Sequence, residues 1–170
     1  LTLFPLVNPF GAIPLFCSLT ADGSIEFRKK MAVKTSISVV FVLIIFLFIG
    51  KLLLEFFGIS LPVLKIAGGL IVAHTAWEMV TNKNKLSKEE TNELGDKVDI
   101  SFTPMAMPML SGPGSIGVAI GLTSEKSITS FSYYLGFSFG IVLLGLIILI
   151  LLLISSRLFN LLGNTGIGVL

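Results

Sequence analysis

Two short runs carry the chemistry this sequence offers, Asn8-Pro9-Phe10-Gly11 and Gly112-Pro113-Gly114-Ser115. Proline removes a backbone donor and clashes with the turn before it, and glycine tolerates the unwound geometry that follows, so each run opens a helix. A half-helix that restarts in apolar surroundings presents unpaired N–H groups and a partial positive charge, which suits a carboxylate. Asn8 and Ser115 add hydrogen-bonding side chains, and no acidic or basic residue stands beside either run. Backbone dipoles and neutral polar groups fit a small zwitterion or anion better than a metal ion. The candidate substrate-binding residues are therefore Asn8, Pro9 and Gly11 with Gly112, Pro113, Gly114 and Ser115. No catalytic residue, metal site or cofactor is expected.

In hydrocarbon such breaks survive only when buried in protein or lining a wet cavity, and the rest of the chain calls for that setting. Of its 170 residues, 54% are hydrophobic and 13% charged, against about 25% charged in an ordinary soluble domain. Charge is absent from 1–21, 35–50, 100–124 and 127–156, windows that match or approach the length needed to cross ~30 Å of hydrocarbon. A soluble enzyme and a disulfide-stapled secreted domain are excluded, and the net charge of +2 excludes a basic nucleic-acid binder. Cys17, the single cysteine, can form no internal bridge.

Hydropathy punctuated by charge predicts six spans, at 1–20, 33–54, 59–81, 102–123, 128–154 and from 161 onward. Apolar sequence is already running at Leu1 and still running at Leu170, so both ends are read as cuts in a longer protein and the sixth span as truncated. The odd-numbered loops hold 9 Lys or Arg and the even-numbered loops 2, which predicts a multi-pass protein with its N-terminus outside and the odd loops cytoplasmic. The polar segment 82–100, with a Ser87 to Glu90 capping-box spacing, reads as a cytoplasmic linker with a helical turn.

The breakers recur in two halves. Asn8-Pro9, Leu19-Thr20 and Phe57-Gly58 are followed by Gly112-Pro113, Leu122-Thr123 and Leu162-Gly163, at offsets of 104, 103 and 105. A competing register aligns Pro5, Pro9 and Pro14 with Pro104, Pro108 and Pro113 at an offset of 99. The first is preferred because its anchors spread across the unit, and both place the breakers in the first helix of each half. Three spans per half make the second half enter from the opposite side. The expected fold is thus an all-α polytopic bundle of two inverted three-helix repeats with broken first helices, residues 1–81 and 101–170, joined by the loop 82–100. Gly11 and Gly112 lie about 15 and 18 Å from the cytoplasmic ends of their spans, near the bilayer centre. An isolated Pro or Gly serves in membrane helices as a kink or packing notch; two related runs at matching depth favour a site.

Lys65, about 9 Å into its span, and His74, on one helical face with Glu78 and near Trp77, are accessory candidates. Snorkelling to the headgroups for Lys65 and an interfacial contact for His74 are the structural alternatives. Gly68-Gly69, Gly117 with Gly121, and Gly136 with Gly140 read as helix-packing positions.

Asn8 through Pro14, the stretch Phe57-Gly58-Ile59-Ser60-Leu61-Pro62 leading to Lys65-Ile66-Ala67-Gly68-Gly69, and Pro104 through Ile116 together resemble the MarC family of prokaryotic inner-membrane proteins. The resemblance covers nearly the whole chain. It implies six spans and, by SnatA-like members, transport of neutral amino acids; it differs at Lys65, where many relatives carry Arg, so bidentate geometry is lost there. The expected function is secondary transport of small neutral amino acids by alternating access around a midplane site. Its partners are the lipid bilayer, the amino acid or a similar zwitterion, and a coupling H+ or Na+, with a homo-oligomer left open. A membrane scaffold or assembly protein without transport and a channel-like pore are the alternatives. An intramembrane hydrolase with Ser115 as nucleophile and His74 as base is disfavoured by their different predicted depths.

Overall fold

The computed structural model describes residues 2–21, 23–81, 99–124 and 131–166, and helix is the only regular structure among them. In chain order the helices are α1 (Leu3–Val7), α2 (Ala12–Leu19), α3 (Ile25–Phe56), α4 (Leu61–Thr81), α5 (Ser101–Leu110), α6 (Pro113–Ser124) and α7 (Phe131–Gly166). Residues 82–98, including the Ser87 to Glu90 spacing, lie outside the described residues.

α3 starts well before the expected 33 because the polar residues ahead of its apolar run are good starters. Ser24 Oγ accepts the Phe27 N–H at 3.1 Å, and Glu26 sits in the positively polarised first turn. Its 32 residues make about 48 Å of helix. It ends at Gly58, whose φ of +65° is open to glycine at no steric cost. There the Gly58 N–H bonds Glu55 O (3.2 Å) and the Ile59 N–H bonds Leu54 O (2.9 Å), the reciprocal pair of a Schellman turn. Pro62 then falls in the first turn of α4, where its missing donor costs nothing.

The first and fourth expected spans are both interrupted. α1 and α2 are separated at Asn8–Gly11, and α5 meets α6 at a 65° bend across Ser111 and Gly112. α5 is π-wound, with Met105 N–H reaching Ile100 O and Ser111 N–H reaching Ala106 O. The cause is local, since a residue before proline is pushed out of helical geometry. Thr103 (φ −118°, ψ 126°) precedes Pro104, and Met107 (φ −132°, ψ 127°) precedes Pro108. By contrast α7 is continuous, so residues 161–166 extend the fifth span and open no separate sixth helix among the described residues. The Ser155-Ser156-Arg157 punctuation contains no proline or glycine, and a single arginine is a good helix former.

α3 is the hub, packing against α5, α6 and α7, while α2 also packs on α7 and α4 on α6. One core joins Val39, Leu43 and Leu47 of α3 with Phe16 of α2, Met105 and Leu110 of α5, and Ile141 and Ile148 of α7. α7 comes so close to α3 that a Cβ on Gly145 would lie 2.2 Å from Val40 Cγ2. In lipid this packing is held by van der Waals contact, and small residues make it possible. The outer surface is equally apolar: Ile37, Phe41 and Leu52 of α3 and Phe139, Leu146 and Ile150 of α7 are exposed, as is Trp77 of α4. α3 and residues Phe131–Ser155 of α7 are each long and apolar enough to cross a bilayer, and the bent pair α5–α6 makes a third if counted as one span. An apolar surface of this extent belongs in lipid.

Candidate site at two interrupted helices

The first break is built by Asn8. Its backbone is left-handed (φ 43°, ψ 62°), a conformation asparagine tolerates, and its N–H closes α1 on Phe4 O at 3.2 Å. Its Oδ1 then accepts the Gly11 N–H at 3.2 Å. A Cβ at Gly11 would stand 2.5 Å from Asn8 Nδ2, so the pair Asn8 and Gly11 is matched by size. The structure therefore corrects two details of the sequence reading. Gly11 N–H is not left unpaired, because the Asn8 side-chain carbonyl accepts it, and regular helix resumes only at Ala12, past the whole Asn8–Gly11 run. Pro9 is buried. At its far end α2 is closed by Arg28, whose Nε donates to Thr20 O (2.9 Å) and whose second guanidinium N–H group donates to Ala21 O (2.8 Å).

The second break is more enclosed. Ser115 is buried, and its hydroxyl lies 2.9 Å from Gly112 O and 3.3 Å from Leu110 O, so its donor is used on carbonyls at the bend. The ladder resumes with Ile116 N–H to Gly112 O at 3.0 Å. Pro113 has no N–H, so the first-turn amides open to a ligand begin at Gly114. A side chain at Gly112 would meet Pro108 O at 2.8 Å, and backbone cannot easily move aside. Thr123 Oγ1 ties the other end of α6 to Leu47 O of α3 at 3.1 Å.

The two breaks are neighbours. α1 packs against both α5 and α6, and a Cβ built on Gly114 would lie 4.0 Å from Leu6 Cδ2 and 2.5 Å from Val72 Cγ2. α4 covers the start of α6 on the other side, where a Cβ built on Gly68 would lie 3.6 Å from Pro113 O and 3.8 Å from the Gly114 Cα. Gly68 and Gly117 are thus helix-packing glycines, as the sequence reads, whereas Gly69, Gly136 and Gly140 have nothing within 4 Å.

The accessory candidates separate. Lys65 is exposed, and its stem would lie beside a side chain at Gly121, about 13 Å along α6 from the break. His74 is exposed and follows Val72 by two residues, so it stands within one turn of the Gly114 level. The Ser115 hydroxyl is spent on carbonyls, not on an imidazole. The Glu78 side chain lies outside the described ones.

Sequence reasoning missed two features. Ser111, directly before Gly112, is completely buried, and its Oγ has no hydrogen-bond partner. Its only signal is a polar residue abutting the glycine-proline pair. The second is an ion pair at the start of α5, where Asp99 accepts from Lys34 of α3 and from the Ser101 hydroxyl and N–H. The Lys34 ammonium, followed by Ser101, lowers the Asp99 carboxyl from 3.8 to about 2.

Comparison with known proteins returns membrane proteins, as the apolar surface requires. The chain is 36% identical over 171 residues to the UPF0056 membrane protein YhcE of Escherichia coli strain K12, covering 99% of this chain and 79% of that protein. It is 36% identical over 128 residues to the UPF0056 membrane protein MJ1677 of Methanocaldococcus jannaschii, covering 74% of this chain and 62% of the relative. It is also 36% identical over 129 residues to the UPF0056 inner membrane protein MarC of Escherichia coli strain UTI89, covering 72% and 58% of the two chains. No solved structure matches it. The model of the MarC family integral membrane proteins matches residues 1–170, and the chain belongs to that family.

Proposed function

We propose that this protein is a secondary transporter of small neutral amino acids, working by alternating access around a site between the two breaks. The observation that carries the proposal is the meeting of two interrupted apolar helices, with Leu6 of α1 and Val72 of α4 both against Gly114 at the start of α6. Interrupted helices cost backbone hydrogen bonds in hydrocarbon, and transporters use that cost to present helix starts and free carbonyls to a solute. The α6 start offers amides to a carboxylate, and no acidic or basic residue stands beside either run along the chain, which suits a zwitterion of no net charge.

In this reading the chain forms two inverted repeats, 1–81 and 101–170, with the N-terminus outside, in the inner membrane of a prokaryote. The Lys and Arg distribution supports the orientation, and the similarity to the Escherichia coli inner membrane protein MarC supports the membrane. It is read as a carrier and not an enzyme, since Ser115 spends its hydroxyl within the break.

The test is uptake of labelled Gly, Ala, Ser, Leu, Glu and Lys into proteoliposomes, with and without a proton or sodium gradient. Saturable uptake confined to the neutral members is expected, and the gradient that accelerates it identifies the coupling ion. Unsaturable conductance would indicate a pore. No uptake of any member by verified, inserted protein would indicate a scaffold.

A further inference from the structure

We infer that Ser111 is a solute-binding residue of the second break, its hydroxyl donating to the carboxylate of a small neutral amino acid held at the start of α6. This rests on the transport reading above and adds the group that recognises the carboxylate. Among the described residues most buried hydroxyls have a partner: Thr20 bonds Phe16 O, Ser36 bonds Ala32 O, Thr123 bonds Leu47 O, and Ser155 bonds Leu152 O. Ser111 does not, although it is fully buried; Thr35, also fully buried, and the partly buried Ser138 share the lack of a partner but lie away from either break. A buried hydroxyl without a partner is costly, and such a group in a native structure calls for a reason.

Its position supplies one. Ser111 ends α5 and immediately precedes Gly112, so it stands beyond the first turn of α6, the place where an anion bound to helix-start amides must lie. Its own N–H is occupied by Ala106 O at 2.7 Å, which leaves the hydroxyl as its free donor. Ser115, one turn on, has committed its hydrogen to the carbonyls of the break. Along the chain the nearest ionisable residues are Asp99 and Glu125; across the helix contact, α4 brings Lys65 beside Gly121, farther along α6, and His74 within one turn of the Gly114 level. The set is a hydroxyl plus the amides from Gly114 onward, which recognises a carboxylate by hydrogen bonding and tolerates a neighbouring ammonium.

A matched pair of variants tests this. Ser111→Ala and Thr35→Ala each remove a fully buried hydroxyl that has no partner, and Thr35 sits at the distant Lys34–Asp99 end of α3. The full chain is purified in detergent, and its melting midpoint is followed against L-alanine and against alaninamide, which lacks the carboxylate; ligand-induced stabilisation yields Kd. Both variants are expected to melt no lower than the wild type without ligand. Only Ser111→Ala is expected to weaken L-alanine binding, by about tenfold or more, as loss of a hydrogen bond to a charged group requires. Alaninamide should bind the wild type and Ser111→Ala alike. Unchanged L-alanine affinity in Ser111→Ala, or a lower melting midpoint of that variant without ligand, overturns the assignment of Ser111 alone. A wild type stabilised by neither L-alanine nor glycine overturns the amino-acid reading, and the Ser111 assignment with it.

Discussion

Gly114 is the residue where the two broken helices and α4 converge, and a side chain there must displace a neighbour: a Cβ would press to 2.5 Å from Val72 Cγ2. Replacing it with leucine should abolish amino-acid uptake in proteoliposomes while membrane insertion stays normal; undiminished uptake by Gly114→Leu would refute the site. Asn8→Ala removes both the acceptor for Gly11 N–H and the residue type that tolerates the left-handed turn. A loss of about 1–2 kcal/mol is expected, read as a lower melting midpoint in detergent. The Asp99 pair gives a pH prediction. The folded carboxyl titrates near 2, below its ordinary 3.8, so the pair stabilises above pH 3.8 and is lost as pH falls through about 2. Both partners are about half exposed (43% and 48%), which limits the effect to below about 1 kcal/mol. Asp99→Asn should melt slightly below the wild type at neutral pH, with the difference closing on acidification. Single residues were legible where their type interrupts a helix, as at Asn8, Pro9 and Gly112. Ser111 was not, because an isolated serine in an apolar run looks the same whether its hydroxyl is satisfied by the backbone or left open.

Helix ends are set by local chemistry, and the turn between α3 and α4 shows how narrowly. Around Gly58 nothing lies within 4 Å, so alanine would fit; its φ of +65° is what excludes a side chain. Gly58→Ala should cost about 1 kcal/mol through backbone strain alone, measured by thermal melting, and Gly58→Asn less. The opposite case is Gly145, where conformation is ordinary helix and space is missing. Gly145→Ala should cost about 1–3 kcal/mol by forcing Val40 and with it α3 away from α7. At this scale apolar run and breaker positions translated well into α3, α4 and the two interrupted helices. Charge as punctuation failed at both ends of long helices. Ser24 and Glu26 start α3 ahead of its apolar stretch, and Arg157 lies within the uninterrupted backbone of α7. The π winding of α5 was foreshadowed by Pro104 and Pro108, whose spacing alone does not say how the carbonyls between them are re-paired.

At the scale of the whole molecule the orientation rests on charge, and labelling checks it directly. In a Cys17→Ala background, which removes a buried thiol, Lys126→Cys should react with an impermeant maleimide from outside intact cells. Lys88→Cys should react only after permeabilisation; the reverse pattern would invert the topology. Membrane residence was plain from composition, whereas the meeting of the two breaks was a matter of packing that depth alone only hinted at. α4 rests on the bundle along α6, through Leu64, Gly68 and Val72, and carries the single tryptophan, Trp77, exposed on its outer surface. Any rocking of α4 that uncovers the start of α6 must carry that indole to a new depth. Quenching of its emission by brominated acyl chains, recorded with and without solute, therefore follows the movement in unlabelled protein without a second tryptophan to obscure it.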